Sequence, residues 1–387
     1  MITIFSIAIL GPLVMVTGFF VLEVLFGLAS LGSATARSER RPTAVIVIPA
    51  HDEEAVIEAT VREALANADD YVRILVVADN CTDRTADLAR SGGANVLVRN
   101  DWDHRGKGYA LGAARDDLRQ DPPEVVVVLD ADCRIDSRSL GALVASGAAR
   151  PSQAVNLLAP DLKAAPLVQV SSFAFMVKNL IRQRGLQRLA RRAHLTGTGM
   201  ALPWKIFAEA NLGGSNIVED LALGLDLAGE GTPPALVEQA TVWSPAASAG
   251  GTLTQRRRWE GGFLSTMLGK APAALAGSVR RGDLRGLCAA LDLCIPPLAL
   301  LAMLNALGLL LVWLLVLADG PVWPVIVQIA VGLLAIFAVL LAWLKEGRRF
   351  ASAGTLVRLP LYVLWKLPMY VGLARRGAPK DWLRTGR

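Results

Sequence analysis

Two carboxylates, Asp130 and Asp132, follow an uninterrupted apolar run in VVVVLDADC, residues 125–133. Side chains two residues apart on an extended chain point to the same side, so an extended DAD would present two hard oxygen ligands on one face. Such ligands suit Mg²⁺ or Mn²⁺, especially when substrate phosphates complete the coordination shell. A structural alternative is that Asp132 or Asp136 caps the next helix. We favour a metal site.

Further polar side chains end two neighbouring predicted strands, in PAHDEE (residues 49–54) and ADNCTD (residues 78–83). Ligands of parallel α/β sheets bind outside the carboxyl ends of the strands, so Asp79 is expected beside Asp130 and Asp132. Crowded carboxylates raise one another's pKa unless a cation neutralises them, which favours a metal. The alternative for Asp79 is a turn carboxylate that caps the following helix.

A lysine stands at a predicted helix start in HRGKGYALG, residues 104–112. Lys107 and the first backbone N–H groups of that helix could meet a phosphate. The stretch is not a P-loop, because the G-x-x-x-x-G-K-[ST] spacing is missing. A solvated lysine on a glycine turn is the alternative.

Two downstream groups also carry side chains that could do chemistry. Glu219 and Asp220 head a helical pattern, and Gln255, Arg258 and Trp259 lie in TLTQRRRWEGGF. Arginine offers planar, bidentate donors for phosphate oxygens, and an indole can stack on a sugar. The alternatives are a charge pair at a helix N-terminus and a basic membrane-surface patch with an interfacial tryptophan.

The elements that must position these residues alternate between short β-rich runs and helical patterns. This alternation predicts βαβ units and a largely parallel sheet in an α/β domain. The apolar run before Asp130 fits a strand buried on both faces. Predicted strands cover residues 43–50, 72–79, 94–100 and 124–132, and predicted helices cover residues 52–67, 81–92 and 107–120.

The remainder of the chain is unusually apolar. The 387 residues are 53% hydrophobic with a formal charge of +6, which is too apolar for an ordinary soluble protein. Residues 2–31, 297–317 and 322–344 each reach the length of about 20 residues that spans a bilayer. The first run lacks the basic start of a signal peptide and predicts a retained anchor.

Basic residues flank the three predicted spans on one side, which predicts a multi-pass protein of the bacterial inner membrane with a cytosolic central domain. The flanking residues are Arg37, Arg40, Arg41, Arg280, Arg281, Arg285, Lys345, Arg348 and Arg349. Residues 354–374 are interrupted by basic residues and prolines, and we expect them to lie in the interface rather than to span. The predicted order is an anchor (1–32), a cytosolic domain (40–265), an amphipathic interfacial connection (266–286), two spans (287–345), and an interfacial or transmembrane helix with a basic tail (350–387).

Other classes of protein fit less well. A transporter would carry ionisable residues along its spans, and only Glu23 and Asp292 qualify, both near predicted span ends. A membrane-anchored nucleotidyltransferase would need a glycine-rich basic loop after the first strand, where this chain has PAHDEEA. Nucleic-acid binding is not expected, because the membrane topology explains the basic clusters. The cysteines show no metal-ligand spacing and indicate structural thiols.

Seven motifs in a fixed order resemble those of membrane-integrated inverting glycosyltransferases of family 2. They are VIVIPAHDEE, VVADNCTDRT, GKGYAL, LDAD, TGTGMAL, VEDLALGLDL and QRRRW. That group contains cellulose, chitin-oligosaccharide and hyaluronan synthases. The resemblance covers residues 43–263 and implies a glycosyltransferase A fold, a UDP-linked sugar donor, a divalent ion and a β-linked product. The acceptor would be a glycan or a lipid-linked sugar, and secretion or synthase subunits are compatible partners.

The resemblance also implies roles for individual residues. Asp220 would be the catalytic base that takes the proton of the acceptor hydroxyl, and Asp130 and Asp132 would hold the metal on the donor diphosphate. The implied nucleotide-sugar site comprises Pro49, His51, Glu53, Asp79, Lys107, Asp130, Gln255, Arg258 and Trp259. The implied acceptor site comprises Gly199, Glu219 and Trp259.

Two departures from the family pattern bear on function. Val218 stands where the family usually has threonine, and the predicted spans are few for a polymerase that threads its product across the bilayer. Addition of a single sugar to a lipid-linked acceptor is therefore the alternative to polymerisation. The basic segment 178–194 could rest on anionic headgroups, face an anionic acceptor, or be a solvated helix face.

Overall fold

The computed structural model describes residues 2–32, 41–213, 219–246 and 249–377. Arg37, Arg40, Val218 and the tail after residue 377 lie outside the described residues, so the predictions that concern them remain predictions.

Eight described strands form one mixed sheet in the order β3-β2-β1-β4-β7-β6-β8-β5. The first four are parallel, as predicted; β7 is antiparallel to β4 and β6, β8 is parallel to β6, and β5 is antiparallel to β8. Strands β5 to β8 were not predicted: β5 and β7 are only two and four residues long, and β6 and β8 do not alternate regularly between buried and exposed residues. The bounds are Ala44–Ala50, Val72–Asp79, Asn95–Arg99, Val125–Val128, Arg134–Ile135, Ser152–Leu158, Met200–Pro203 and Ala235–Ser244 for β1 to β8.

Strand β4 is buried on both faces, which confirms the interpretation of its valine run. Val125 and Val127 pack into one hydrophobic core, while Val126 and Val128 pack into the core on the opposite face. All four are fully buried, and burying a valine contributes about 1.5–3 kcal/mol. This strand therefore holds the acidic residues that follow it in a rigid position.

Sixteen described α-helices surround and follow the sheet. The predicted helix start at residue 52 was wrong, because Asp52 has φ +52° and its Oδ1 accepts from Thr82 N at 2.7 Å. The bounds of α1 to α16 are Ile2–Gly27, Ile57–Ala66, Thr85–Ser91, Lys107–Leu118, Ser137–Gly147, Pro166–Met176, Gln183–Ala190, Trp204–Glu209, Glu219–Gly229, Ala249–Arg281, Leu284–Leu293, Leu298–Leu317, Trp323–Lys345, Ala353–Leu356, Leu359–Trp365 and Leu367–Arg376. A π-helix, Val177–Arg182, joins α6 to α7, and Gly347–Arg349 form a 3₁₀ turn.

Three described helices are long and apolar enough to cross a membrane: residues 5–27 of α1, and all of α12 and α13. They coincide with the three predicted spans. Polar side chains join them, since Asn305 Nδ2 donates to Thr17 Oγ1 at 3.0 Å and Gln328 Nε2 donates to Asn305 Oδ1 at 2.9 Å. Residues 354–374 are divided among α14, α15 and α16, each too short to span alone.

A cluster of buried charges ties the first span to the sheet domain. Arg182 donates to Glu23 Oε2 at 2.8 Å and to Asp292 Oδ1 at 2.5 Å, and His194 pairs with the other oxygen of Asp292. Burial raises the pKa of Asp292, but the charges of Arg182 and His194 outweigh it and lower that pKa. The cluster thus joins α1, the π-helix and α11.

We expect Arg182→Met to lower the thermal midpoint of the detergent-solubilised protein strongly. It leaves Glu23 and Asp292 buried without their shared partner, and breaking a buried pair costs about 3–5 kcal/mol. The control is Arg62→Met, which removes an exposed i,i+4 pair with Glu58 worth about 0.3–0.5 kcal/mol. Equal midpoints for the two variants would show that the cluster does not stabilise this junction.

Candidate active site

The acidic pair lies on a turn just beyond β4. The expected extended conformation was wrong, since β4 ends at Val128 and Cys133 N donates to Asp130 O at 3.0 Å. The turn nevertheless brings carboxylate oxygens of Asp130 and Asp132 and the sulfur of Cys133 within 4.8 Å of one another. Asp136 caps α5 through Ser139 N at 2.9 Å, so the cap is Asp136 and not Asp132.

The donor set fits a hard divalent cation. Carboxylate oxygens are the ligands that Mg²⁺ and Mn²⁺ favour, and both aspartates face the cavity described below. The Cys133 sulfur is not expected to be a ligand. Mg²⁺ and Mn²⁺ favour oxygen over soft sulfur ligands, and burial raises the pKa of the Cys133 thiol well above its usual range. The sulfur lies 3.1 Å from Ser244 Oγ and 3.5 Å from Asp132 Oδ1, within hydrogen-bond reach of both.

Lys107 opens α4 and reaches the acidic turn. Its ammonium donates to Asp130 Oδ1 and, at 2.6 Å, to Gly197 O. Burial lowers the pKa of Lys107, but the charge of Asp130 outweighs it, so the pKa is raised. The solvated-lysine alternative is therefore wrong, and a fixed positive charge lies beside the two candidate metal ligands.

Glu219 and Asp220 lie at the head of α9, as predicted. Burial raises the pKa of Asp220, and burial together with Asp220 raises the pKa of Glu219 to about 7. Gly197 approaches them closely: its φ is +82°, and an added Cβ would lie 3.2 Å from Asp220 Oδ2 and 3.7 Å from Lys107 Nζ. Asp220 and Lys107, which pairs with Asp130, therefore flank the same glycine.

Asp79 is a buried ion-pair partner at the end of β2. Arg99 Nη1 donates to its Oδ1 at 2.6 Å, and His51 Nδ1 lies 2.8 Å from its carbonyl oxygen. The alternative capping role belongs instead to Asp83, whose Oδ1 accepts from Thr85 N at 2.9 Å. Asp79 is thus held rigidly at the edge of the cavity.

Helix α10 carries Gln255, Arg258 and Trp259 to the opposite wall. Burial lowers the pKa of the Arg258 guanidinium, against the opposing charges of Asp130, Glu219 and Asp132. The ring of Trp259 lies 5.4 Å from that of Phe175, between centroids. The predicted boundary at residues 265/266 falls inside α10, which continues to Arg281.

One cavity of about 1870 Å³ connects these walls. Its lining includes Pro49, His51, Glu53, Asp79, Lys107, Asp130, Asp132, Glu219, Asp220, Gln255, Arg258 and Trp259. Gly199 packs into the sheet, where an added Cβ would lie 2.8 Å from Val242 Cγ2. The adjoining wall is formed by residues 196–198, and contact of Gly199 with an acceptor stays a prediction.

Sequence reasoning missed several residues of this site. Arg99 orients Asp79, Thr198 Oγ1 accepts from Asp130 N at 3.1 Å, and Arg256 anchors α10 by donating to Ser171 Oγ at 2.8 Å. The run of three arginines was a signal for Arg256. Arg99 carried no local signal, because its partner Asp79 is distant in sequence. Thr198 lies in the TGTGMAL motif, but nothing local indicated its bond to Asp130.

Residues 42–262 match the family described as Glycosyltransferase like family 2. The low-salt glycan biosynthesis hexosyltransferase Agl6 of Haloferax volcanii is 35% identical over 113 residues, which are 28% of this chain and 26% of that relative. The match thus spans about a quarter of the relative's length.

A similar solved structure is the mannosyltransferase PcManGT from Pyrobaculum calidifontis in complex with GDP-Man and Mn²⁺. It shares 15% identity with a TM-score of 0.55, over 95% of this chain and 100% of that one. This likeness extends through the apolar helices as well as the sheet.

Proposed function

The chain belongs to the glycosyltransferase-like family 2, and from this premise we propose that it transfers a sugar from a nucleotide diphospho-sugar to an acceptor at the membrane. Family membership and the fold shared with PcManGT confirm the predicted family and the glycosyltransferase A fold. The observation that carries the proposal is the meeting of two candidate metal ligands, a partly buried acid pair and two cations in one cavity.

In this proposal, Asp130 and Asp132 would hold a divalent ion, which would supply Lewis-acid stabilisation of the leaving diphosphate. Lys107 and Arg258 add fixed positive charge where negative charge accumulates. Asp220 takes the proton of the acceptor hydroxyl while the oxygen of that hydroxyl bonds to the anomeric carbon of the donor sugar. The bond from that carbon to the diphosphate breaks, and the nucleoside diphosphate leaves with the electron pair.

Single displacement inverts the anomeric carbon, so an α-linked donor gives a β-linkage. We propose a UDP-sugar as the first donor to test, and GDP-mannose as the second because the similar structure holds it. Either Mn²⁺ or Mg²⁺ suits the two carboxylates, and Mn²⁺ is the ion that accompanies GDP-Man in PcManGT. Asp79, held by Arg99, and residues 49–53 would receive the nucleotide.

We propose that the chain is a multi-pass protein of the cell membrane and that its sheet domain lies on the cytosolic side. Synthesis of an exopolysaccharide by polymerisation and addition of one sugar to a lipid-linked acceptor both fit the chemistry. The second is favoured because the cavity continues from Asp220 to α12 and α13. The bacterial inner membrane stays a prediction from the sequence.

The test is nucleotide release by the full chain in detergent, supplied with a panel of UDP-sugars and GDP-mannose. Membrane lipid extract supplies acceptors, and each donor is run with Mn²⁺, with Mg²⁺ and with EDTA. We expect release from one donor that EDTA abolishes, and a product of inverted configuration by NMR. Absence of release from every donor in the presence of lipid extract would refute the proposal.

A further inference from the structure

The cavity is larger than the donor requires, and the excess lies at its membrane end. Sites for small molecules and cofactors measure roughly 300–1,000 Å³, whereas this one measures about 1870 Å³. Its lining continues past Asp220 to Leu298, Ala302 and Asn305 of α12, and to Gly332 and Ile336 of α13.

These lining residues form one face on each spanning helix. On α12 they are spaced four and three residues apart, which places them along one stripe. On α13, Gly332, Ile336 and Leu340 repeat every four residues, and the last two side chains are 59% and 42% exposed. A side chain added at Gly332 would meet nothing within 4 Å. The membrane end of the cavity is therefore an open, mostly apolar groove between α12 and α13.

A lysine lies where this groove meets the catalytic end. Lys178, on the π-helix, is exposed yet lines the cavity, and its Nζ lies 5.1 Å from the centroid of the Phe263 ring. Among the described residues its ammonium has no hydrogen-bond or ion-pair partner. The neighbouring cations Arg182 and Arg256 act against the charge of Lys178.

The neighbouring cations are already engaged. Arg182 is paired with Glu23 and Asp292, and Arg256 donates to the hydroxyl and the carbonyl of Ser171. An ammonium on the cavity wall that no described protein group pairs with can bind an anion through a charge-assisted hydrogen bond. Lys178 is thus the cation available to a ligand at this point.

Lys178 and Arg258 serve different ends of the cavity. The carboxylates that influence Arg258 are Asp130, Glu219 and Asp132, on the metal side. The carboxylates of Asp220 and Asp292 lie close enough to Lys178 to act on its charge, which places the lysine near Asp220. A negative group on Lys178 would therefore belong to the acceptor and not to the leaving diphosphate.

We propose that the acceptor is an anionic glycolipid whose phosphate binds Lys178 while its hydrocarbon chain lies in the groove between α12 and α13. This inference rests on the proposed function and deepens it. The phosphate joins the chain to a sugar whose hydroxyl reaches Asp220. The apolar groove, the cation at its inner end and the base beyond it match these three parts in order.

The test measures binding of farnesyl phosphate to the full chain in lipid nanodiscs. This probe carries the chain and the phosphate without the sugar; farnesol lacks the phosphate, and inorganic phosphate lacks the chain. We expect farnesyl phosphate to bind best, and Lys178→Met to weaken it about 10- to 100-fold, the value of a charge-assisted hydrogen bond. Lys178→Arg should restore most of the affinity, and Lys270→Met, at an exposed pair with Asp226, is the matched control.

A second variant tests the groove independently. Gly332→Phe fills the open space on α13 and should weaken the binding of farnesyl phosphate, while Lys178 stays in place. Gly11→Phe is its control, because Gly11 lies in a span outside the cavity lining and also has open space around it. If Lys178→Met does not fold, two comparisons still test the inference. One compares binding of the three probes to the native chain, and the other compares Gly332→Phe with Gly11→Phe.

Equal binding of farnesyl phosphate and farnesol, or of farnesyl phosphate to the native chain and a folded Lys178→Met, would overturn the inference. Inorganic phosphate binding as tightly as farnesyl phosphate would also overturn it, by showing a free-phosphate site. Nucleotide release from the donor panel is measured separately. If nucleotide is released but the chain binds the three probes equally well, only this inference is refuted. If no nucleotide is released from any donor, the proposed function is refuted.

Discussion

Asp220→Asn is expected to reduce kcat of sugar transfer by about 10²–10⁴-fold, the contribution of a general base. Asparagine keeps the size of the side chain but cannot take the proton of the acceptor hydroxyl. The donor is held by other residues, so its KM should change little. The measurement is steady-state transfer with the donor and metal identified by the release panel.

The matched control lies on the same helix. Asp226→Asn removes an exposed carboxylate of α9 that pairs with Lys270, and it should leave kcat unchanged. A loss in Asp220→Asn no larger than in this control would exclude Asp220 as the base. A larger loss in Glu219→Gln than in Asp220→Asn would assign the base to Glu219 instead.

The same carboxylates predict a pH dependence. A base works only when deprotonated, so kcat should fall as the pH drops through the pKa of Asp220. Burial raises that pKa, so the fall should begin at a higher pH than for an exposed aspartate. Glu219, with a pKa of about 7, titrates beside it. The profile from about pH 5 to 9, measured also for Glu219→Gln, separates the two groups.

Asp132→Asn is expected to reduce the transfer rate by about 10³-fold, because a catalytic metal supplies several kcal/mol of transition-state stabilisation. Its carboxylate is one of two that face the cavity on the turn after β4. The loss should be accompanied by weaker Mn²⁺ binding, measured by calorimetry or by electron paramagnetic resonance. Excess Mn²⁺ should recover part of the rate.

Asp136→Ala is the control for Asp132→Asn, because Asp136 lies four residues after Asp132 and caps helix α5. Asp136 accepts from the backbone and hydroxyl of Ser139, so its loss should cost about 1 kcal/mol of stability with Mn²⁺ affinity unchanged. Asp132→Asn should show the opposite pattern. If Asp132→Asn binds Mn²⁺ as the native chain does, Asp132 is not a ligand.

The larger part of the fold could be predicted from the sequence. The three spans depend on length and composition, and the first four strands depend on local runs such as 125–128; both are properties of neighbouring residues. Strands β5 to β8 were missed, because β5 and β7 are only two and four residues long and β6 and β8 show no regular alternation of buried and exposed residues. They nonetheless position the site, since β7 pairs with β4 and follows the loop that contacts Lys107.

In the candidate site too, the sequence identified some features and the structure alone showed the others. Asp130, Asp132, Glu219 and Asp220 were identified by their order along the chain, and all four line the cavity. The conformation of the DAD stretch was not predictable, because a turn rather than an extended strand brings its carboxylates together. The alternatives for Asp79, Lys107 and Asp132 also required the observed partners before one could be chosen.

The sequence by itself determined the element types, the membrane helices and the motifs of the family, because these follow from side chains close together in the chain. Only the tertiary structure decided which charges meet. Lys107 reaches a carbonyl 90 positions away, and Arg182 joins residues 159 and 110 positions away. Contacts over such separations depend on how the sheet packs against the helices. For the same reason, only the folded chain brings Lys178 into the same cavity as Asp220 and the groove between α12 and α13.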